Sequence, residues 1–380
     1  MHIQHTTLKL FFILSIIAQI LLNSCNLRDV VTPPTGNTRS YYLGFTPFPY
    51  DVTAGSLDTV YLKIKNDADI ISHHFDDGIP WQESLYGENY STYIINDWQT
   101  RKAKTPPGAK IIVSVTPINF NRNGLALYKS SSSNQPLAYP WNTYTFNNIQ
   151  VENAYLNYCR RIIRFFNPDY LVIGIEVNLL INSDPTLNLW NSYLQLHQYV
   201  YSKLKSEYPS LPIMVSLSGM DLLQDYSSNY QLQQIGLDQI MQYSDYFAIS
   251  LYPFLSSLST NEMPSNLFDL LFSLENKPIC ITETGYPAQT TSLYNGSIVL
   301  NGTQQKQNDY FNKLFSAADK YNLIFIINFV IQDYDKLWKA LGSPEDISKA
   351  WRDTGLYDEN GNARLAYETW NNKLSISVQF

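Results

Sequence analysis

Eight short apolar runs recur along this chain, at 42–48, 69–75, 111–117, 170–176, 213–217, 246–252, 278–282 and 323–330. Helix-period patterns at 152–166, 189–208, 232–243 and 304–321 separate several of them. Runs of this length, bounded by polar turns, read as strands buried on both faces, the mark of a parallel sheet. Strand–helix alternation predicts an α/β fold, and a count of eight predicts closure into a (β/α)8, or TIM, barrel. An open doubly wound sheet would carry a glycine-rich phosphate turn after its first strand, whereas Thr46-Pro47-Phe48-Pro49 follows here. No internal repeat and no second domain interrupts the pattern, so 41–380 reads as a single catalytic domain.

The N-terminus stands outside the alternation. Lys9 precedes a 13-residue apolar run at 10–22 that is too short to span a bilayer and lacks an amphipathic face or a cap. It reads as the core of a secretory signal. The run ends in Leu22-Asn23-Ser24-Cys25, which resembles a bacterial lipobox with Cys25 as the lipidated residue. The alternative is an ordinary cleaved signal with an incidental cysteine. Residues 26–40, containing Thr32-Pro33-Pro34-Thr35-Gly36, read as a flexible tether. The expected location is therefore the bacterial cell envelope, at the outer membrane or cell surface, since Asn26 replaces the aspartate that signals inner-membrane retention.

Net charge is −7 and no basic cluster occurs, which argues against a nucleic-acid partner. Charged residues are 16% and aromatics 14%, with 29 Tyr and 7 Trp, a balance suited to a cleft where sugar faces stack on rings. Cys159 falls on a helical pattern and Cys280 inside a strand, so both read as buried thiols, and no CxxC spacing occurs. No cofactor is implied, and a monomer is expected.

The chemistry concentrates at strand tips. The run Pro-Ile-Cys-Ile-Thr-Glu-Thr-Gly-Tyr-Pro (278–287) presents Glu283, and Asp-Tyr-Leu-Val-Ile-Gly-Ile-Glu-Val-Asn (169–178) presents Glu176. Carboxylates at the C-terminal ends of barrel strands lie where such barrels build active sites. Two of them across one cleft, about 5–5.5 Å apart, are the apparatus of retaining glycoside hydrolysis. Glu283 is expected to be the nucleophile, kept ionised by a hydrogen bond from Tyr252 on the preceding strand. Glu176 is expected to be the proton donor, its pKa raised by burial and by the neighbouring charge. Asn178 projects to the same side as Glu176 if the strand continues, and the Gly285-Tyr286-Pro287 turn brings Tyr286 to the site. On the second strand's exit, His74, Asp76 and Asp77 are expected to bond sugar hydroxyls and Trp81 to stack on a ring. His73 and His74 alternate to opposite faces, which argues against a metal there. Trp338 offers either a further sugar platform or a packing residue for the terminal helix.

Three motifs, Gly174-Ile175-Glu176-Val177-Asn178-Leu179-Leu180, Ile249-Ser250-Leu251-Tyr252-Pro253-Phe254 and Thr282-Glu283-Thr284-Gly285-Tyr286-Pro287, resemble strands four, six and seven of clan A glycoside hydrolases. Family 53, the arabinogalactan endo-β-1,4-galactanases, is the most similar. The resemblance implies retention, Glu176 as acid/base, Glu283 as nucleophile, and an endo-acting enzyme for a galactan- or arabinogalactan-like β-linked polysaccharide. The sequence departs from the family twice. Ile175 stands where the family has an asparagine that bonds the sugar 2-hydroxyl, and the second strand lacks the family's arginine-rich run. The first departure favours a rival of a different class, a glycan-binding surface lipoprotein with weak or no catalysis. A purely structural surface lipoprotein would leave the acid pair a coincidence.

Overall fold

The apolar runs become strands, two of them shorter than expected, with 42–48 giving Tyr42–Phe45 and 170–176 giving Tyr170–Val172, and the four helical patterns become helices Ile149–Phe166, Asn188–Glu207, Tyr230–Ile240 and Gln304–Tyr321. The computed structural model describes residues 38–380; the expected export signal, Cys25 and most of the expected tether lie outside the described residues. Arg39, within the tether expected over 26–40, already belongs to the folded unit Arg39–Phe380. Its buried guanidinium pairs with Asp69 at 2.6 Å, and its backbone pairs with the C-terminal segment near Val378. A buried charge requires such partners, so the chain is fixed from this residue onward.

The barrel strands are β1 (Tyr42–Phe45), β2 (Ile70–Phe75), β3 (Lys110–Val115), β4 (Tyr170–Val172), β5 in two pieces (Ile213–Met214 and Ser216–Ser218), β6 (Phe247–Leu251), β7 (Ile279–Thr284) and β8 (Phe325–Asn328). Each pairs in parallel with its sequence neighbours, and β8 returns to β1 through Tyr42 opposite Phe325. β4 pairs with the first piece of β5 and β6 with the second, so the ring closes across Val215.

Strand alternation divides the core in two. Ile70, Ile112, Val172, Met214, Ala248, Cys280, Phe325 and Ile327 point inward and fill the barrel. Their neighbours, such as Ile71, Val113, Leu171, Ile213 and Phe247, point outward and pack under the helices. Helix Ile149–Phe166 shows why these helices dock there. Val151, Tyr155, Cys159, Ile162 and Phe166 form one buried stripe, Asn148 caps the first turn by accepting from Gln150 N–H, and Asn167 ends the helix in the left-handed region. Cys159 and Cys280 are both buried free thiols, as expected. Beyond β7 the chain forms a β-hairpin, Thr291–Leu293 against Ile298–Leu300.

Candidate active site

Above the apolar filling, the inward positions turn polar. On β2 the inward series Ile70, Ser72, His74 ends in a histidine. His73 faces outward as alternation requires, buried beside Phe166 with Nε2 2.9 Å from Thr105 Oγ1. Burial lowers the His73 pKa to about 3, so it is a neutral packing residue.

Glu283 reaches the interior by a break in register. Cys280 points inward, and a residue three positions on would point outward along a regular strand. Between β6 and β7, however, Ile249 pairs with Ile281 and Ser250 with Glu283, so one residue is bulged out. That bulge turns Glu283 inward beside Ser250, a recognised way for a strand to re-aim a side chain next to a functional site.

Glu176 is aimed differently. β4 ends at Val172, and Glu176 sits at φ 49° in the left-handed region. The segment is fixed where Ser216 Oγ faces Glu176 N at 3.0 Å and Ser216 O accepts from Val177 N–H. Gly174 permits the tight path, since a Cβ there would come 2.6 Å from Val177 Cγ1. The glutamate head then accepts from Ser250 Oγ at 2.8 Å and from Arg122 Nη2 at 3.2 Å.

The two glutamates share a cleft of about 670 Å³ with His74, Asp76, Asp77, Arg122 and Tyr252. Phe48, Phe329, Tyr334, Trp351, Tyr294 and the exposed Phe120 supply its apolar walls. Arg122 holds Asp76 through both terminal nitrogens, at 3.2 and 2.8 Å, so the guanidinium is already compensated before Glu176 reaches it. Burial disfavours the Arg122 charge, but Asp76 and then Glu176 outweigh it and hold its pKa above the usual range. Asp77 accepts from Lys129 Nζ and from Ser133 Oγ.

The basic group nearest Glu283 among the described residues is His74, whose Nδ1 stands 3.4 Å from Oε1. Burial pushes its carboxyl up to about 7, with His74 opposing the shift and the Glu176 charge adding to it. This corrects the expectation for Tyr252. The ring does line the cleft, but no Tyr252–Glu283 hydrogen bond forms among the described residues, and dehydration governs Glu283 instead. Tyr252 packs edge-on against Trp351 at 5.7 Å, and burial together with the two carboxylates keeps its phenol neutral.

Four other expected residues lie elsewhere. Asn178 is buried in a structural clamp, accepting from Ser218 N–H at 2.7 Å and donating to Gln233 Oε1 at 2.9 Å. Trp81 is fully buried, stacked on Trp141, with its indole N–H donated to Ala126 O. Tyr286 is buried and stacked on Tyr310 at 5.3 Å. Trp338 donates to Pro344 O and sits between Lys349 and Arg352, outside the cleft lining. Ile175 is buried as well. Sequence reasoning missed Arg122, Ser250 and Trp351. Ser250 was within reach, because alternation from Tyr252 puts it on the same face; Arg122 and Trp351 lie in connections with no periodic signal.

No family model matches the chain, and no curated protein matches it in sequence. Solved structures do resemble it. A GH5_18 protein from Bifidobacterium longum subsp. longum in complex with Manb1-4GlcNAc has a TM-score of 0.63 at 13% identity, covering 90% of this chain and 80% of that one. A GH53 catalytic domain from Ignisphaera aggregans has a TM-score of 0.56 at 15% identity, over 90% and 99%. An exo-beta-1,4-mannosidase from Opitutaceae bacterium strain TAV5 has a TM-score of 0.58 at 12% identity, and this chain spans 58% of its length. The likeness is one of fold: the chain is a (β/α)8 barrel of the architecture found in GH5 and GH53 proteins, as the strand-tip motifs implied.

Proposed function

We propose that this protein is a retaining glycosidase for a β-linked oligo- or polysaccharide, with Glu283 as nucleophile and Glu176 as acid/base. The observation that carries the proposal is the pairing of two carboxylates, from the ends of β4 and β7, in one aromatic-walled cleft with different surroundings. Ionised Glu283 attacks the anomeric carbon while Glu176 gives its proton to the departing glycosidic oxygen, so one C–O bond forms as another breaks. Glu176 then takes a proton from water, which displaces Glu283 and restores both groups. The Arg122–Asp76 pair suits this exchange, because Asp76 retains the guanidinium whenever Glu176 is protonated. His74 suits the nucleophile's role by opposing the dehydration that favours its neutral form.

Galactan or arabinogalactan remains the proposed substrate class from the strand-tip resemblance, with endo action. The oligosaccharide in the GH5_18 complex and the mannosidase among the similar folds make β-mannosides the class to test beside it. The protein is further proposed to be exported and anchored by lipid at Cys25. A second reading, glycan binding without hydrolysis, draws on buried Ile175, which offers the cleft no donor directly before Glu176.

The test is release of reducing ends from galactan, arabinogalactan, mannan, xylan and β-glucan by the protein and by Glu176→Gln and Glu283→Gln. Release from one polymer, abolished in both variants, is the expected result. Binding of a polymer without any release would replace the enzyme by the binding protein.

A further inference from the structure

The cleft does not end at Asp77. Beyond it, helix Thr92–Lys104 presents Tyr93, Asn96, Asp97, Thr100 and Arg101 around a second hollow of about 410 Å³. These positions are three and four residues apart and therefore share one helix face. Asp77 and Arg101 line both hollows, so the two adjoin across these side chains.

An ordinary solvated helix face leaves its polar atoms to water. Here Asp97 Oδ2 is buried without a partner. Arg101 bonds Asp97 Oδ1 through Nε alone, at 2.9 Å, and its guanidinium carbon stands over the Phe75 ring, 4.6 Å from the centroid. Its two terminal nitrogens, like the side chains of Asn96 and Thr100, have no protein partner among the described residues. Tyr93 is 44% exposed, yet its hydroxyl is held by Ser133 Oγ at 3.1 Å, and Ser133 donates in turn to Asp77. The hollow thus combines a fixed exposed ring with oriented, unused donors and acceptors. Hexoses match that set, with hydroxyls for the polar groups and a C–H face for the ring.

We propose that this hollow is a remote sugar subsite, holding a hexose unit of the substrate that lies beyond those spanning Glu176 and Glu283. The inference rests on the glycosidase reading and deepens it: the substrate is an oligosaccharide long enough to pass over Asp77 and Arg101. Each unit bound there adds affinity without touching the reacting bond, so it lowers KM for long chains and leaves the chemical step alone.

The experiment compares the protein with the double variant Tyr93→Ala/Asn96→Ala on β-1,4-mannooligosaccharides and β-1,4-galactooligosaccharides from dimer to hexamer. Both side chains are exposed, so the variant should keep its fold. The expected result is a KM about tenfold higher for the longest chains, with unchanged kcat and unchanged dimer kinetics. A change that is equal at every length, or no change at any, overturns the subsite. If the parent cleaves neither series, the glycosidase reading is left to the five-polymer assay above, and the subsite is judged by calorimetric titration of each hexamer. Binding that weakens in the double variant then supports it, and equal or absent binding overturns it.

Discussion

His74 Nδ1 stands 3.4 Å from Glu283 Oε1, inside a cleft dry enough to lift that carboxyl to about 7. The histidine works against the shift, so removing it should leave Glu283 harder to ionise. The nucleophile proposed here must be ionised, and kcat/KM reports the free enzyme's groups. The acid limb of the kcat/KM profile is therefore expected near pH 7, and His74→Ala should move it to higher pH by roughly one unit. An unmoved limb, or one moved to lower pH, would show that His74 does not tune the nucleophile.

The same carboxyl links stability to pH. Its pKa rises from the usual 4.5 to about 7 on folding, so between those values the folded protein binds more protons than the unfolded chain. Stability from this group is fully present below 4.5, declines as pH rises towards 7, and is lost above it. Glu283→Gln cannot ionise, so it should be more stable than the parent at pH 8 by on the order of 2 kcal/mol. The gain should vanish by pH 4. Urea unfolding of both proteins at the two pH values checks this, and a gain independent of pH would refute the linkage.

How much of this was legible differs from residue to residue. The strands were legible because buried parallel strands leave continuous apolar runs, and Glu176 and Glu283 stood out as acids at the ends of two of them. The inward aim of Glu283 was not, since it depends on a register break against Ile249 and Ser250 that no local pattern encodes. Asn178 was misplaced because alternation was carried past Val172, where the chain leaves the extended form. Trp81 has the residue type of a sugar platform, but its neighbour Trp141, 60 positions away, decides its place. Arg122 meets Asp76 and Glu176 only through tertiary contacts 46 and 54 residues distant in sequence.

Asp76 gives a test of the proposed proton donor. In Asp76→Asn the Arg122 charge is left to Glu176 alone, which favours the ionised carboxylate and leaves less of the protonated form to give a proton. Hydrolysis of natural glycosides, whose leaving group needs a proton, should slow about 10–100-fold. Aryl glycosides with strongly acidic leaving groups need no such help, so their cleavage should change far less. Equal losses on both substrate types would mean that Asp76 acts through the shape of the site, and not through the donor.

Two tryptophans separate packing from recognition. Trp81 is fully buried between Trp141 and Tyr155, so Trp81→Ala opens a cavity and should cost about 3–5 kcal/mol of stability. Enzyme that remains folded should keep its KM, because the ring never reaches the cleft. Trp351 lines the cleft beside Tyr252 and is partly exposed there. Trp351→Ala should raise KM by about tenfold while unfolding at nearly the parent's denaturant midpoint. Parallel kinetics and unfolding curves decide it: if Trp81→Ala raised KM in fully folded enzyme, the ring expected from the sequence would be a sugar platform after all.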